Sequence, residues 1–182
     1  MDLPAVDDVI RFWFEVLSPR DWYGAPENVD AEIRSRFGGL YEVLEDHVPQ
    51  DWLANPRGLL AAILVLDQFP RNMFRGRPQA FATDAEALAL SKEALSTRAD
   101  MALPPKQRAF IYLPFQHAEN SDDQVRSVGL FTALGSPLNL DYAIRHQEVV
   151  ERFGRFPHRN ATLGRHSTEE EKAFLKEPGS SF

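Results

Sequence analysis

A chain of 182 residues, 43% hydrophobic and 26% charged, has the make-up of one globular domain with a real core. Its 27 acidic residues against 20 basic ones, a net charge of -7, argue against non-specific nucleic-acid binding, which depends on Lys and Arg neutralising phosphates. The absence of cysteine excludes disulfides, thiolate metal sites and a cysteine nucleophile. The longest apolar run, Leu59 to Leu66, is too short to cross a bilayer, so no membrane span is expected. Acidic residues open the chain where a secretory signal needs positive charge, and a cytoplasmic location is the expectation.

Helical periodicity runs from end to end. Val6, Val9, Ile10, Trp13 and Leu17 recur behind Pro4, and Ile33, Phe37, Leu40, Tyr41 and Leu44 do so behind Asp30, predicting two amphipathic helices. Asn55-Pro56 reads as an N-cap with proline at the first helical position, opening a strongly apolar helix through Leu66. Thr83 with Glu86, Ser121 with Gln124 and Ser167 with Glu170 fit capping-box spacing and predict three more helix starts. Another helix begins near Pro104-Pro105, and one covers about Leu138 to Phe153 before Gly154 stops it. No strand-like alternation competes. The expectation is an all-α fold, one domain over residues 1–176 with seven or eight helices, followed by a flexible tail, 177–182. Trp13, Trp22, Tyr23 and Trp52 fall at helical spacing and read as core, or as a groove or dimer contact.

Three polar segments interrupt this pattern. In Leu66-Asp-Gln-Phe-Pro-Arg-Asn72, Pro70 cannot donate to the Leu66 carbonyl, so the helix bends or ends and an acceptor is freed. If the helix continues, Asp67 and Arg71 share one face, as do Gln68 and Asn72; an ion pair is the commoner reading of such a spacing and a catalytic dyad the rarer. Arg75 and Arg77 read as solvated loop charges. In Leu113-Pro-Phe-Gln-His-Ala-Glu119, Pro114 frees the Phe110 carbonyl in the same way. His117-x-Glu119 lacks the downstream C-x-x-C of a zinc deaminase, and H-E-x-x-H is absent. His117 therefore stays open between a capping histidine, a general acid or base and a metal ligand, and no metal site is assigned.

The third segment, Arg152-Phe-Gly-Arg-Phe-Pro-His-Arg-Asn160, with Arg165 beyond it, crowds four arginines and His158 into fourteen residues of an acidic chain. Phe153 and Phe156 would pin the turn while the guanidinium groups reach carboxylates, with Asp67, Glu119 and Asp123 as candidates, or an anionic ligand. His146 shares a face with Tyr142, Val149, Val150 and Phe153, the position of a core histidine.

In Leu66-Asp-Gln-Phe-Pro-Arg-Asn-Met-Phe-Arg-Gly76 with Ala80-Phe-Ala-Thr-Asp84, Leu113–Glu119 with Asp123-Gln124, and Phe153–Asn160 with Leu163-Gly-Arg165 and Ser167-Thr168, the sequence resembles the bacterial domain-of-unknown-function family 924. The likeness runs from Phe12-Trp-Phe14 to Phe174-Leu175. It implies a tetratricopeptide-like α-α superhelix and brings no reaction or substrate.

Two functional classes follow. In the first, the polar segments form a site for a small anionic molecule, with Arg71, Asn72, Gln124, His146, Arg155, Arg159, Asn160 and Arg165 binding it. His117 or His158 would move a proton there, oriented by Asp67 or Glu119. In the second, the segments are an internal network within a non-catalytic scaffold for a protein or peptide. The residues name no cofactor and do not decide whether there is a reaction.

Overall fold

The computed structural model describes residues 4–24 and 26–181. Met1 to Leu3, on which the N-terminal charge argument partly rests, and Phe182 of the expected tail lie outside the described residues, as does the Tyr23 side chain. The protein is all-α: no strand occurs among the described residues. The helices are α1 (Val6–Arg11), α2 (Pro19–Gly24), α3 (Glu27–Asp46), α4 (Gln50–Leu53), α5 (Pro56–Ile63) and α6 (Phe69–Met73). They continue with α7 (Asp84–Ser96), α8 (Pro105–His117), α9 (Ser121–Leu134), α10 (Pro137–Phe153) and α11 (Glu169–Phe174). Short pieces such as α2 and α4 add to the helices that periodicity resolves. Two wide π-turns, Phe12–Val16 and Leu64–Gln68, extend α1 and α5.

The chain divides into two compact units, one holding the described residues up to Arg75 with Gln79–Pro114, the other Gly76–Pro78 with the residues from Phe115 onward. In the first unit α1 and α4 lie against α5, and α3 packs on α6 and the second π-turn. Its core is aromatic: the Phe37 ring lies 5.1 Å from Phe12 and 4.9 Å from Phe69, and Trp13 meets Phe69 at 5.6 Å and the edge of Phe110 at 5.8 Å. Tilted and edge-on rings of this kind match the quadrupoles of their neighbours. Trp13 is buried and stacks on half-buried Trp22, whose indole N–H donates to the Trp13 carbonyl at 2.9 Å. α4 crosses so close to α5 that a Cβ on Gly58 would lie 2.1 Å from the Trp52 carbonyl oxygen, so only glycine fits.

In the second unit α9 and α10 form an antiparallel hairpin. Gly154, at φ 70°, ends α10 as the sequence predicts, because a left-handed residue there is unstrained only for glycine. Val149, Val150 and Phe156 form a buried cluster on which Phe153 and Phe174 pack. The segment after α11 is tied back at Ser180, which is buried and donates its hydroxyl to the Leu175 carbonyl at 3.2 Å.

Helix starts test the capping expectations one by one. Asn55 caps α5, its Oδ1 accepting from Gly58 N at 2.7 Å. The other three differ. Thr83 precedes α7 but makes no cap bond, because its hydroxyl is used elsewhere. α9 is capped by Asn120, whose Oδ1 accepts from Asp123 N at 3.1 Å, so Ser121 and Gln124 form no box. α11 has a capping box one residue later than expected, between Thr168 and Glu171.

Candidate functional site

The first polar segment lies in the first unit. The helix does not end at Pro70; it widens just before it, and Phe69 N bonds five residues back to the Leu64 carbonyl. The acceptor freed by Pro70 is the Leu66 carbonyl, and the Thr83 hydroxyl donates to it at 2.6 Å. The Asp67 carbonyl takes Arg71 Nη1 at 2.5 Å. Arg71 grips Asp84 with two bonds of 2.9 and 3.2 Å, and its Nη1 stands 3.4 Å from fully buried Asp67. Burial alone would lower the Arg71 pKa, but the Asp67 and Asp84 carboxylates outweigh it and raise the value. Asn72 Nδ2 donates to Asp30 at 2.7 Å, and Arg75 holds the same carboxylate with two bonds of 3.0 Å, so Arg75 is an ion-pair partner and not only a solvated charge. Arg77 is exposed, as expected.

The second and third segments meet in the second unit, at the last turn of α8. Pro114 does not stop this helix, which runs on to His117. The closing carbonyls of a helix have no partner within it and carry the negative end of its dipole. Gln124 Nε2 donates to Gln116 O and Ala118 O, each at 2.7 Å, and reaches Phe115 O at 3.5 Å. Arg159, 7% exposed, donates to His117 O at 3.1 Å. Four consecutive carbonyls are thus covered by two side chains from other elements.

Glu119 carries the next link. Its Oε1 accepts from Phe156 N at 2.7 Å, and Arg165 holds both oxygens at 2.6 and 2.9 Å. Burial opposes the charged form of Glu119, yet the Arg165 and Phe156 bonds prevail and hold its carboxyl below the usual range. Arg165 Nε donates to Asn160 Oδ1 at 2.9 Å, and Asn160 Nδ2 donates to Ser167 Oγ at 3.1 Å. Arg155 grips the buried Glu171 carboxylate at 2.7 and 2.9 Å and donates to His166 O at 2.8 Å. Those bonds, joined by one from Thr168 N, pull the Glu171 pKa down to about 2 although burial works the other way.

Inside this frame two imidazoles lie against the Phe156 ring and a third against one of them. His146 lies edge-on to Phe156 at 5.4 Å, His158 is 5.7 Å from the same ring, and His117 is 6.4 Å from His146. The Arg159 guanidinium sits over Phe156, 4.7 Å from its centre. His146, 4% exposed, approaches the Tyr142 carbonyl through Nδ1 at 2.7 Å; a carbonyl only accepts, so Nδ1 bears the proton. Burial first, then the positive fields of His117, Arg159 and His158, drive the His146 pKa down to about 3, against the support of that bond. His146 is therefore neutral at any ordinary pH. His117 and His158 are half-buried. Among the described residues no group of three or more His, Asp and Glu is placed to hold a metal ion.

Of the residues singled out from sequence, Asp67, Arg71 and Asn72 fall in the first unit, while Gln124, His117, Glu119, His146, Arg155, His158, Arg159, Asn160 and Arg165 gather in the second. Sequence reasoning missed Asp84 and Glu171, which complete the networks, and read Thr83 only as a helix cap. It also missed buried Asp100, which accepts from Tyr112 Oη at 2.7 Å. Only Glu171 had a local signal, the capping-box spacing from Thr168. Three buried polar atoms, Gln116 Oε1, Gln124 Oε1 and Ser127 Oγ, have no hydrogen-bond partner among the described residues.

The chain belongs to the bacterial family of proteins of unknown function DUF924, which matches residues 9–179. It is similar throughout to a solved structure, a protein of unknown function, ATU0120, from Agrobacterium tumefaciens, with 38% sequence identity and a TM-score of 0.90. The match covers 94% of this chain and 96% of that one. Comparison with curated proteins finds no match. No helix among the described residues is long and apolar enough to cross a membrane.

Proposed function

We propose that this protein binds a small anionic molecule at the histidine and arginine cluster of its second unit, with His117 and His158 facing the ligand. The supporting observation is the gathering of His117, His158 and Arg159 about buried His146 and Phe156: burial is the first cause of the low His146 pKa, and the positive charge of these neighbours, which an anion would relieve, is the second. On this reading Arg155 and Arg165 are frame, committed to Glu171 and Glu119, and Arg159, which donates to His117 O and acts on Glu119 as well, adds positive charge. Any proton transfer falls to His117 or His158, the two half-buried imidazoles. Glu119 anchors the Phe156 turn.

The test is a titration of the histidine ring signals by NMR at low salt, with and without inorganic phosphate. Binding raises the apparent pKa values of His117 and His158, and the melting midpoint climbs. A ligand at a hundred times its Kd adds about 2.7 kcal/mol, or about 5–10 °C for a chain of this length. His158→Gln weakens the response. If neither phosphate nor small carboxylates move any ring signal, the anion reading fails.

The coverage of four carbonyls by Gln124 and Arg159 favours a second reading, in which the network is structural and the chain is a helical interaction scaffold. Silent ring signals together with a large loss of stability in Gln124→Ala would support it.

A further inference from the structure

Gln124 is oriented by its own bonds. Its Nε2 faces carbonyl oxygens of the α8 terminus, which only a donor can do, so the amide cannot be flipped and Oε1 points away from that terminus. That oxygen has no partner among the described residues, and neither does Ser127 Oγ, one helical turn along α9 on the same buried face. Both residues are fully buried, and Gln116 Oε1, at the end of α8, is a third buried acceptor without a donor. The Gln124 amide stands beside the cationic cluster, because Gln124 and Arg159 rest on neighbouring carbonyls of a single turn, Gln116 O, His117 O and Ala118 O.

Acceptors and cations ask for different things from a ligand. In the site proposed above, the histidine and arginine cluster takes the anionic end. Gln116 and Gln124 call for N–H or O–H donors, and Ser127 can meet either. A ligand with only an anionic group leaves the acceptors unmet. We infer that the ligand is bipolar: a small carboxylate or phosphate whose other end is a carboxamide or ammonium group donating to Gln124 Oε1, with Gln116 and Ser127 beside it. This inference rests on the anion site proposed above. Discrimination is strong in such a place, because a buried acceptor that meets a methyl group stays unpaired, whereas in water it would simply keep its solvent.

Isothermal titration at low salt with three carboxylates of equal length tests this: valerate, ending in methyl, succinamate, ending in carboxamide, and γ-aminobutyrate, ending in ammonium. Succinamate or γ-aminobutyrate should bind more tightly than valerate by about tenfold, a difference equivalent to one satisfied hydrogen bond. Ser127→Ala should shrink that advantage and yet raise the melting midpoint of the free protein, since it removes a buried hydroxyl without a partner. Gln124→Met should lose the preference as well, but it also uncaps α8, so Ser127→Ala is the variant that decides. Equal binding of all three carboxylates overturns the bipolar ligand and leaves the anion site standing. Binding of none, with phosphate silent too, removes both.

Discussion

Acidification should destabilise this protein well above the range in which carboxylates titrate, and His146 is the reason. Its ring is 4% exposed, and burial with the charges of His117, Arg159 and His158 holds its pKa near 3 against an ordinary 6.5. The unfolded chain therefore takes up a proton below pH 6.5 that the folded chain refuses. Stability from a depressed histidine is complete above the unfolded value and lost as pH falls. Each pH unit below 6.5 removes about 1.4 kcal/mol, so pH 5 costs about 2 kcal/mol relative to neutrality. Urea denaturation at pH 7, 6 and 5 measures it. His146→Asn, which cannot titrate, should be less stable at pH 7 and should lose about 2 kcal/mol less than the natural protein between pH 7 and 5. Glu119 and Glu171 are themselves held low and act at lower pH. Equal unfolding free energies at pH 7 and 5 in the natural protein, or a His146 ring that titrates near 6.5, would refute the reasoning.

The Arg155 grip on Glu171 should govern a second, more acidic window. With the carboxyl pulled from 4.5 to about 2, the pair contributes at most about 3 kcal/mol, and solvent at Arg155 lowers this to about 1–2 kcal/mol. The contribution is present above pH 4.5 and lost on the way to pH 2, and Glu171→Gln should remove this dependence in acid denaturation curves. Gly58→Ala should lower the melting midpoint by about 2–12 °C, because the new methyl must displace the α4 backbone at a cost of about 1–3 kcal/mol, beyond any gain in helix propensity. Arg98 holds φ 60° just past the end of α7, a conformation unfavourable for any residue with a Cβ. Arg98→Gly should stabilise by up to about 1 kcal/mol, read as a higher thermal midpoint.

Helix identity was legible because each long helix carries its own apolar stripe, and signals confined to one or two neighbours, such as Asn55-Pro56 and Gly154, acted where they stand. Capping residues were harder to assign. Two side chains adjacent in sequence, Ser167 and Thr168, offer the same hydroxyl, and which one faces the first turn depends on where the chain arrives from. Here Ser167 is already engaged by Asn160, and Thr168 takes the cap. Gln124 was placed in a box by its spacing from Ser121, but its long side chain instead spans to the end of the preceding helix. The arginine partners were half legible. Glu119 was named for its charge beside a helix break, whereas Asp84 lies 13 and Glu171 lies 16 residues from the arginine it serves, a separation that only the folded chain closes.

The wide turn at Leu64–Gln68 acts as a phase shifter for the helix that follows. A π-turn holds one residue more than the α-helical turn it replaces, and one residue corresponds to about 100° of rotation about the axis. Deleting a single residue there would let the segment wind regularly and swing α6 through that angle. Phe69 would leave Phe37, and Asn72 and Arg75 would leave Asp30, in one movement. A helix in this protein can thus absorb a substitution at many places, but at this one its length in residues is itself a fixed quantity.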